Sequence, residues 1–193
     1  MNKMASLIRN SMSIDNFVSG AFPMLSDWGL EDQDVMVHSL GVSIWNALGH
    51  ELGFMAVAEC PAPFSEVAGD DIRSDSAWFD KNTKQPVVVI EFERYDGTDK
   101  GRQKMGEKAE NLLEANQRWG GLPQVLILAS WTKGMVSVPD HKTLISRIHR
   151  GFKNRKGTMV NGNPAAKFLF SRFCFQQQLQ DKMIKLDRIL FEA

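Results

Sequence analysis

The segment from Pro86 to Arg94 constrains the fold of this chain more than any other. Four consecutive apolar residues with strong strand preference, Val87 to Ile90, are followed by Glu91-Phe92-Glu93. A strand that is apolar on both faces is covered on both, which is typical of inner strands in α/β proteins. The chain has 193 residues, 43% hydrophobic and 24% charged. That composition suits one domain with a sizeable core and excludes a disordered, collagen-like or disulfide-scaffold protein.

Helical patterns flank this strand. Apolar residues at three- and four-residue steps predict one helix over residues 31–52 and a second, ended by Gly120-Gly121, over 99–119. Short apolar runs between turn residues predict strands at 54–60, 73–80, 86–94 and 125–129. The order of these elements, α-β-β-β-α-β, indicates an α/β fold in which helices flank a central mixed sheet.

The C-terminal third is expected to be an extra helical segment. Asp140 is placed to cap one helix, and Asn163-Pro164 to open a long final helix that reaches Phe191. The phenylalanines of this segment also fit the alternation of a strand almost as well; they are Phe168, Phe170, Phe173 and Phe175. Without a linker or repeat in the chain, residues 1–193 are interpreted as a single domain.

The strands at 73–80 and 86–94 are separated by a polar turn and predict a hairpin. If the turn centres on Thr83, antiparallel pairing places Asp75 opposite Glu91 and Arg73 opposite Glu93, all on one face. Opposed carboxylates destabilise a sheet, and a divalent cation resolves the conflict; hard oxygen ligands favour Mg²⁺. The alternative is an exposed strand end at which Arg73 and Arg94 neutralise Glu91 and Glu93.

These residues carry a family resemblance. The residues Arg73-Ser74-Asp75, Trp78-Phe79-Asp80, Gln85 to Ile90 and Glu91-Phe92-Glu93 together resemble the core of the PD-(D/E)XK nuclease superfamily, and the element order is similar to its restriction-endonuclease-like fold. The resemblance covers about residues 32–130. It implies a metal-dependent nuclease, with Mg²⁺ or Mn²⁺ as cofactor, that hydrolyses phosphodiester bonds in DNA. It also implies that the chain forms a homodimer, so that each site cuts one strand.

The resemblance also implies roles for individual residues. Asp75 and Glu91 match the metal-binding acids, the carbonyl of Phe92 would add a ligand, and Glu51 on the first helix, or else Glu59, would complete the site. Ser74 replaces the usual proline, and Glu93 stands where the family most often has lysine.

The water-orienting role of that lysine would then fall to Glu93 or to a lysine of the following helix. Lys104 and Lys108 are one helical turn apart and are able to face the hairpin; the alternative is two solvated surface lysines. Arg73 or Arg94 would contact a phosphate oxygen.

Charge is distributed unevenly along the chain, although the net charge is zero. Residues 1–140 hold 12 Lys and Arg against 20 Asp and Glu, whereas the basic C-terminal part, about residues 141–193, holds 11 against 3. A basic, flexible segment within it is the best candidate for DNA backbone contacts; its cations are Arg150, Lys153, Arg155 and Lys156. The alternatives are a solvated loop, or a basic face that answers the acidic body.

Several other functions find little support. No stretch approaches the roughly 18 to 20 apolar residues of a membrane span, and the N-terminus lacks a signal-peptide pattern, so a cytoplasmic protein without a membrane partner is expected. Cys60 and Cys174 are interpreted as reduced thiols, and the four scattered histidines as structural or surface residues. A second hypothesis stays open because Glu93 replaces lysine: a catalytically inactive nuclease-like module that binds nucleic acid or a protein partner.

Overall fold

The computed structural model describes residues 2–64, 71–154, 156–178 and 183–192. Five α-helices occur in these ranges: α1 Lys3–Ser11, α2 Ser19–Ala21, α3 Asp34–Glu51, α4 Asp99–Arg118 and α5 His141–Arg150. The eight strands are β1 Met55–Pro61, β2 Arg73–Phe79, β3 Pro86–Arg94, β4 Val125–Lys133, β5 Gly151–Lys153, β6 Met159–Asn161, β7 Lys167–Gln177 and β8 Ile184–Glu192. Two π-helical turns, Ile14–Val18 and Met24–Trp28, flank α2.

Six strands form one mixed sheet in the order β1-β2-β3-β4-β7-β8. β1, β2 and β3 pair antiparallel, β3, β4 and β7 pair parallel, and β8 returns antiparallel to β7. The small strands β5 and β6 form a separate antiparallel ribbon. The prediction of an α/β fold with a central mixed sheet flanked by helices is therefore confirmed.

Each face of the sheet has its own hydrophobic core, which explains why β3 is apolar on both sides. Val88, Ile90 and Phe92 pack with α3 and the N-terminal helices. Val89 points the other way and packs beneath α4 and α5. Because side chains alternate along a strand, Glu91 and Glu93 share the α4 face with Val89. The sequence of β3 therefore directs both acids toward α4.

The β2–β3 hairpin has the expected register. Ser76 lies opposite Ile90 and Trp78 opposite Val88, as pairing about Thr83 predicts. The side chain of Asp80 closes the turn by accepting hydrogen bonds from the N–H groups of Asn82 and Thr83, at 2.9 and 2.7 Å. A register shift between Trp78 and Phe79 lies between this turn and the paired residues. The register beyond this shift decides which β2 side chain lies beside Glu91.

The predicted C-terminal helix is wrong, because residues 167–177 and 184–192 form the strands β7 and β8. The side chain of Asn163 does accept bonds from two following N–H groups, those of Ala165 and Ala166, but this turn leads into a strand. Phe168 and Phe170 pack beneath α4 and α5, whereas Phe173 and Phe175 pack on the α3 side. Two-sided burial of aromatic residues favours a strand inside a sheet.

The helix after Asp140 is confirmed, since the Asp140 side chain accepts from Thr143 N and caps α5. The helices that precede residue 31 were not predicted. Cys60 is buried and Cys174 partly buried, and both are free thiols. Among the described residues, no helix has the length and apolar character that crossing a membrane requires.

Candidate metal centre

Asp75 lies where the β2–β3 ladder opens. The last paired residues before it are Ser76 and Ile90, and beyond them the Asp75 side chain replaces a backbone partner: its Oδ2 accepts from the N–H of Phe92 at 2.7 Å. The N–H and C=O of one strand residue point to the same edge of the strand, so the Phe92 carbonyl also faces this opening. The side chain of Asp75 is only 9% exposed, and the backbone bond holds one of its oxygens in place.

Glu91 and Lys108 form a buried ion pair beside Asp75. The ammonium Nζ of Lys108, on α4, lies 2.6 Å from Glu91 Oε2 and 3.9 Å from Asp75 Oδ2. Glu91 is fully buried, and within the described ranges its second oxygen, Oε1, has no hydrogen-bond partner. An unpartnered buried carboxylate oxygen is costly, and it fits a cation or a water that binds at this position.

Burial sets the protonation of this pair. Burial, together with the nearby Asp75 and Glu93, raises the pKa of Glu91 from an ordinary 4.5 to about 8, although Lys108 opposes the rise. For Lys108, burial lowers the pKa, but the surrounding acids Glu91, Asp75 and Glu93 outweigh it and leave the pKa above its ordinary value. Near neutral pH, therefore, Glu91 holds a proton and Lys108 stays charged.

Glu93 occupies the solvent-facing side of the cluster. Its Oε1 lies 2.8 Å from Lys104 Nζ and also accepts from the N–H of Arg94 at 2.8 Å. Among the residues described, Lys104 is the side-chain cation that contacts Glu93, in place of the expected arginines. Arg94 pairs with Asp34 and lies over the Trp131 ring at 5.1 Å, whereas Arg73 is exposed at the start of β2, opposite Pro61.

A polar cavity of about 390 Å³ opens next to Glu93. Its lining combines acids and cations with one aromatic ring: Asp34, Glu93, Arg94, Asp96, Lys100, Gly101, Lys104 and Trp131. The cavity lies at the carboxyl ends of the parallel strands β3 and β4, where α/β sheets generally bind ligands. Its three cations suit an anionic group next to the carboxylates.

A second set of donors lies on the other side of Asp75. One ligand atom each from His38, Glu59 and Asp75 lies within 4.8 Å of the others, so the three residues could hold a metal ion. His38 Nε2 is 3.8 Å from Asp75 Oδ1. His38 was not among the residues predicted from the sequence. Its spacing could have indicated it, because His38 precedes the buried residues Gly41 and Trp45 by three and seven positions and so shares their helix face.

The expectation that Glu51 is a metal ligand does not fit this arrangement. Glu51 ends α3 and is exposed, thirteen residues after His38. At about 1.5 Å per residue it lies roughly 20 Å along the helix from the end that approaches Asp75. The alternative, Glu59 on β1, is the residue that lies near Asp75.

The basic C-terminal segment lies on the opposite flank of α4 from this cluster. Arg147 pairs with Glu110 at 2.6 Å, and the Gln117 side chain accepts from the N–H of Asn161 at 2.8 Å. Residues two or nine positions apart on a helix point in roughly opposite directions, so Glu110 and Gln117 face away from Lys108. Arg150 ends α5, and Lys153 and Lys156 are exposed in and after β5; Arg155 lies outside the described residues.

No family model, no curated protein and no solved structure matches the chain. The function is therefore inferred from the geometry and chemistry of the site itself.

Proposed function

We propose that this protein is a metal-dependent nuclease of the restriction-endonuclease-like fold, which hydrolyses phosphodiester bonds in DNA. The observation that carries the proposal is the convergence of Asp75, Glu91 and Glu93 with two lysines of α4. Ordinary structural ion pairs seldom place three buried acids side by side. The unpartnered Oε1 of Glu91 supports a divalent cation at the same place.

Asp75, Glu91 and the Phe92 carbonyl would hold the metal, Mg²⁺ or Mn²⁺. A metal ion bound there supplies Lewis-acid polarisation of a phosphate and lowers the pKa of a bound water. Glu93 is positioned to accept a proton from an attacking water, and Lys104 next to it to hold a phosphate oxygen. Lys108 would offset the charge that develops during hydrolysis. The cavity beside Glu93 provides space for the substrate anion.

The first test compares the wild-type protein with Asp75→Asn and Glu91→Gln on linear, circular and single-stranded DNA at low salt. Mg²⁺, Mn²⁺ or a chelator is added, and the exposed-residue variant Asp15→Asn is the matched control. We expect metal-dependent cleavage that falls at least about a hundredfold in both site variants and is unchanged in the control. Full cleavage by Asp75→Asn would contradict the proposal.

One observation favours a second candidate, a catalytically inactive module that binds nucleic acid or a protein partner. The Lys108 ammonium already lies 3.9 Å from Asp75 and 2.6 Å from Glu91, which holds a proton near neutral pH, so the folded site does not need a metal for charge balance. This candidate predicts no cleavage of any DNA substrate and no Mg²⁺ binding by calorimetry, together with salt-dependent DNA affinity. Calorimetric Mg²⁺ binding that Asp75→Asn abolishes would exclude it.

A further inference from the structure

The two oxygens of Asp75 face different groups. Oδ2 accepts from Phe92 N at 2.7 Å and lies 3.9 Å from Lys108 Nζ, on the side of Glu91. Oδ1 lies 3.8 Å from His38 Nε2, and a carboxylate oxygen of Asp75 lies within 4.8 Å of a ligand atom of Glu59. One carboxylate thus separates two sets of donors. The set around Oδ2 is rich in oxygen and contains the lysine, whereas the set around Oδ1 contains an imidazole.

The backbone deforms where the second set forms. The β1–β2 ladder pairs Ala58 with Ser76 and Cys60 with Ser74, and it skips the step at Glu59 and Asp75. Glu59 has a φ of 49°, in the left-handed region that residues with a side chain seldom adopt. Such conformations cost about 1–3 kcal/mol and cluster at functional sites. Glu59 is exposed, so solvent or substrate can reach this position.

From this geometry we infer that His38, Glu59 and Asp75 form a second divalent-metal position. It is distinct from the oxygen position of Asp75, Glu91 and Phe92, and it binds a transition ion such as Mn²⁺ in preference to Mg²⁺. Imidazole binds first-row transition ions, of which Mn²⁺ is the weakest binder, more readily than it binds Mg²⁺, which prefers oxygen ligands and retains its waters. The inference rests on the proposed metal centre at Asp75 but not on hydrolysis. Asp75 is the ligand common to both positions, and the buried, unpartnered Oε1 of Glu91 supports the oxygen position.

The experiment measures metal binding rather than cleavage. Calorimetric titrations of the wild-type protein with MnCl₂ and with MgCl₂ are compared with those of His38→Ala, and His50→Ala is the control because it removes an exposed histidine from the far end of the same helix. We expect two Mn²⁺ but one Mg²⁺ per wild-type chain. His38→Ala should lose one Mn²⁺, or bind it at least about tenfold more weakly, and keep its Mg²⁺.

Pulsed electron paramagnetic resonance of the bound Mn²⁺ gives a second readout. Nitrogen modulation from a ligating imidazole should appear in the wild-type protein and in His50→Ala, and should vanish in His38→Ala. Equal Mn²⁺ stoichiometry and nitrogen modulation in wild type and His38→Ala would overturn the inference. In that case Mg²⁺ binding that depends on Asp75 would leave the proposed function standing. A wild-type protein that binds neither Mn²⁺ nor Mg²⁺ would overturn both this inference and the proposed function.

Discussion

Burial beside two other acids holds the pKa of Glu91 at about 8, which ties the stability of the metal-free protein to pH. Above pH 4.5 the unfolded chain releases a proton that folded Glu91 retains, so stability falls as pH rises from about 4.5 through 8, by an amount on the order of a few kcal/mol. Glu91→Gln removes this loss. We expect the variant to exceed the wild type in stability by more at pH 8.5 than at pH 5.5, measured by urea unfolding with chelator present.

The control for this measurement is Glu31→Gln, which alters an exposed carboxyl group outside the cluster. Its stability relative to the wild type should differ little between the two pH values. A Glu91→Gln variant whose advantage did not grow with pH would show that Glu91 is ionised in the folded protein across this range.

Lys108 is the residue on which the charge balance of the metal-free site depends. Lys108→Met keeps the apolar stem but leaves Asp75 and Glu91 without their shared cation, so we expect a loss of about 1–3 kcal/mol in chelator. Excess Mg²⁺ should restore more stability to this variant than to the wild type, because the ammonium no longer competes for the carboxylates. Lys104→Met is the control, since the Lys104 side chain is 51% exposed and surface pairs contribute little.

The part of the site that could be predicted from the sequence depends on the alternation of side chains along a strand. Asp75 and Glu91 could be brought together from numbering alone, because pairing about Thr83 matches the register of Ser76 with Ile90 and alternation sets the face. The irregularity between Trp78 and Phe79 was not predicted. His38 could not be found in this way, since its distance to Asp75 depends on how α3 lies across the sheet. That angle is decided by side-chain packing between elements, and no local pattern in the sequence records it.

Among the elements, α3 shows how packing places a functional side chain. A Cβ built at Gly41 would lie 2.1 Å from the Phe92 ring, so the helix reaches β3 at a position where only glycine fits. Gly41→Ala should therefore push α3 away from the sheet and cost about 2–4 kcal/mol. Chemical denaturation measures the loss. Gly20→Ala is the control, because its Cβ would meet nothing within 4 Å; a Gly41→Ala protein as stable as this control would contradict the packing.

Helices and strands in which buried residues recur at one regular spacing could be predicted from the sequence. β3 and α4 begin at the predicted residues, and α4 ends one residue early. The existence of α3 was predicted, and its apolar stripe was predicted in part: Ile44 and Leu48 are buried as expected, but Val35 is 80% exposed. Trp45, which is fully buried, was not included in the predicted stripe. For residues 163–191 the proline and the polar stretches favoured a helix, and the tertiary environment overrode them, since a parallel strand beside β4 buries aromatic residues on both faces.

At the scale of the whole molecule, α4 divides the charged surface. Lys104 and Lys108 project from one flank toward the carboxylates, and α5 with the β5–β6 ribbon covers the other flank. Among the described residues, the cations of α5 and the β5–β6 ribbon therefore do not neutralise the acidic cluster, which takes its counter-charges from α4 instead. A polyanion that contacts both regions must pass over or around α4. Binding and any chemistry at the acids are thus separable by mutation.

This separation gives a prediction for DNA binding. Combined Arg150→Ala, Lys153→Ala and Lys156→Ala should weaken DNA affinity for all sequences and lower the slope of log affinity against log salt by between about one and three, because phosphate contacts release counterions. Turnover at saturating DNA should not change, since the three cations lie on the far flank of α4. Fluorescence anisotropy at salt concentrations between about 50 and 200 mM measures the DNA affinity and its dependence on salt.

The matched control removes the same charge from elsewhere, by Lys3→Ala, Lys81→Ala and Lys84→Ala, which are exposed residues of the acidic part of the chain. Equal loss of affinity in both triple variants would mean that DNA responds only to net charge, and the ribbon would then have no specific part in binding. A ribbon variant that bound normally but turned over slowly would place these cations at the reacting phosphate, which the position of α4 between them and Asp75 argues against. Loss of affinity confined to the ribbon variant, with turnover intact, would assign DNA anchoring to the β5–β6 side and leave the chemistry to the carboxylates.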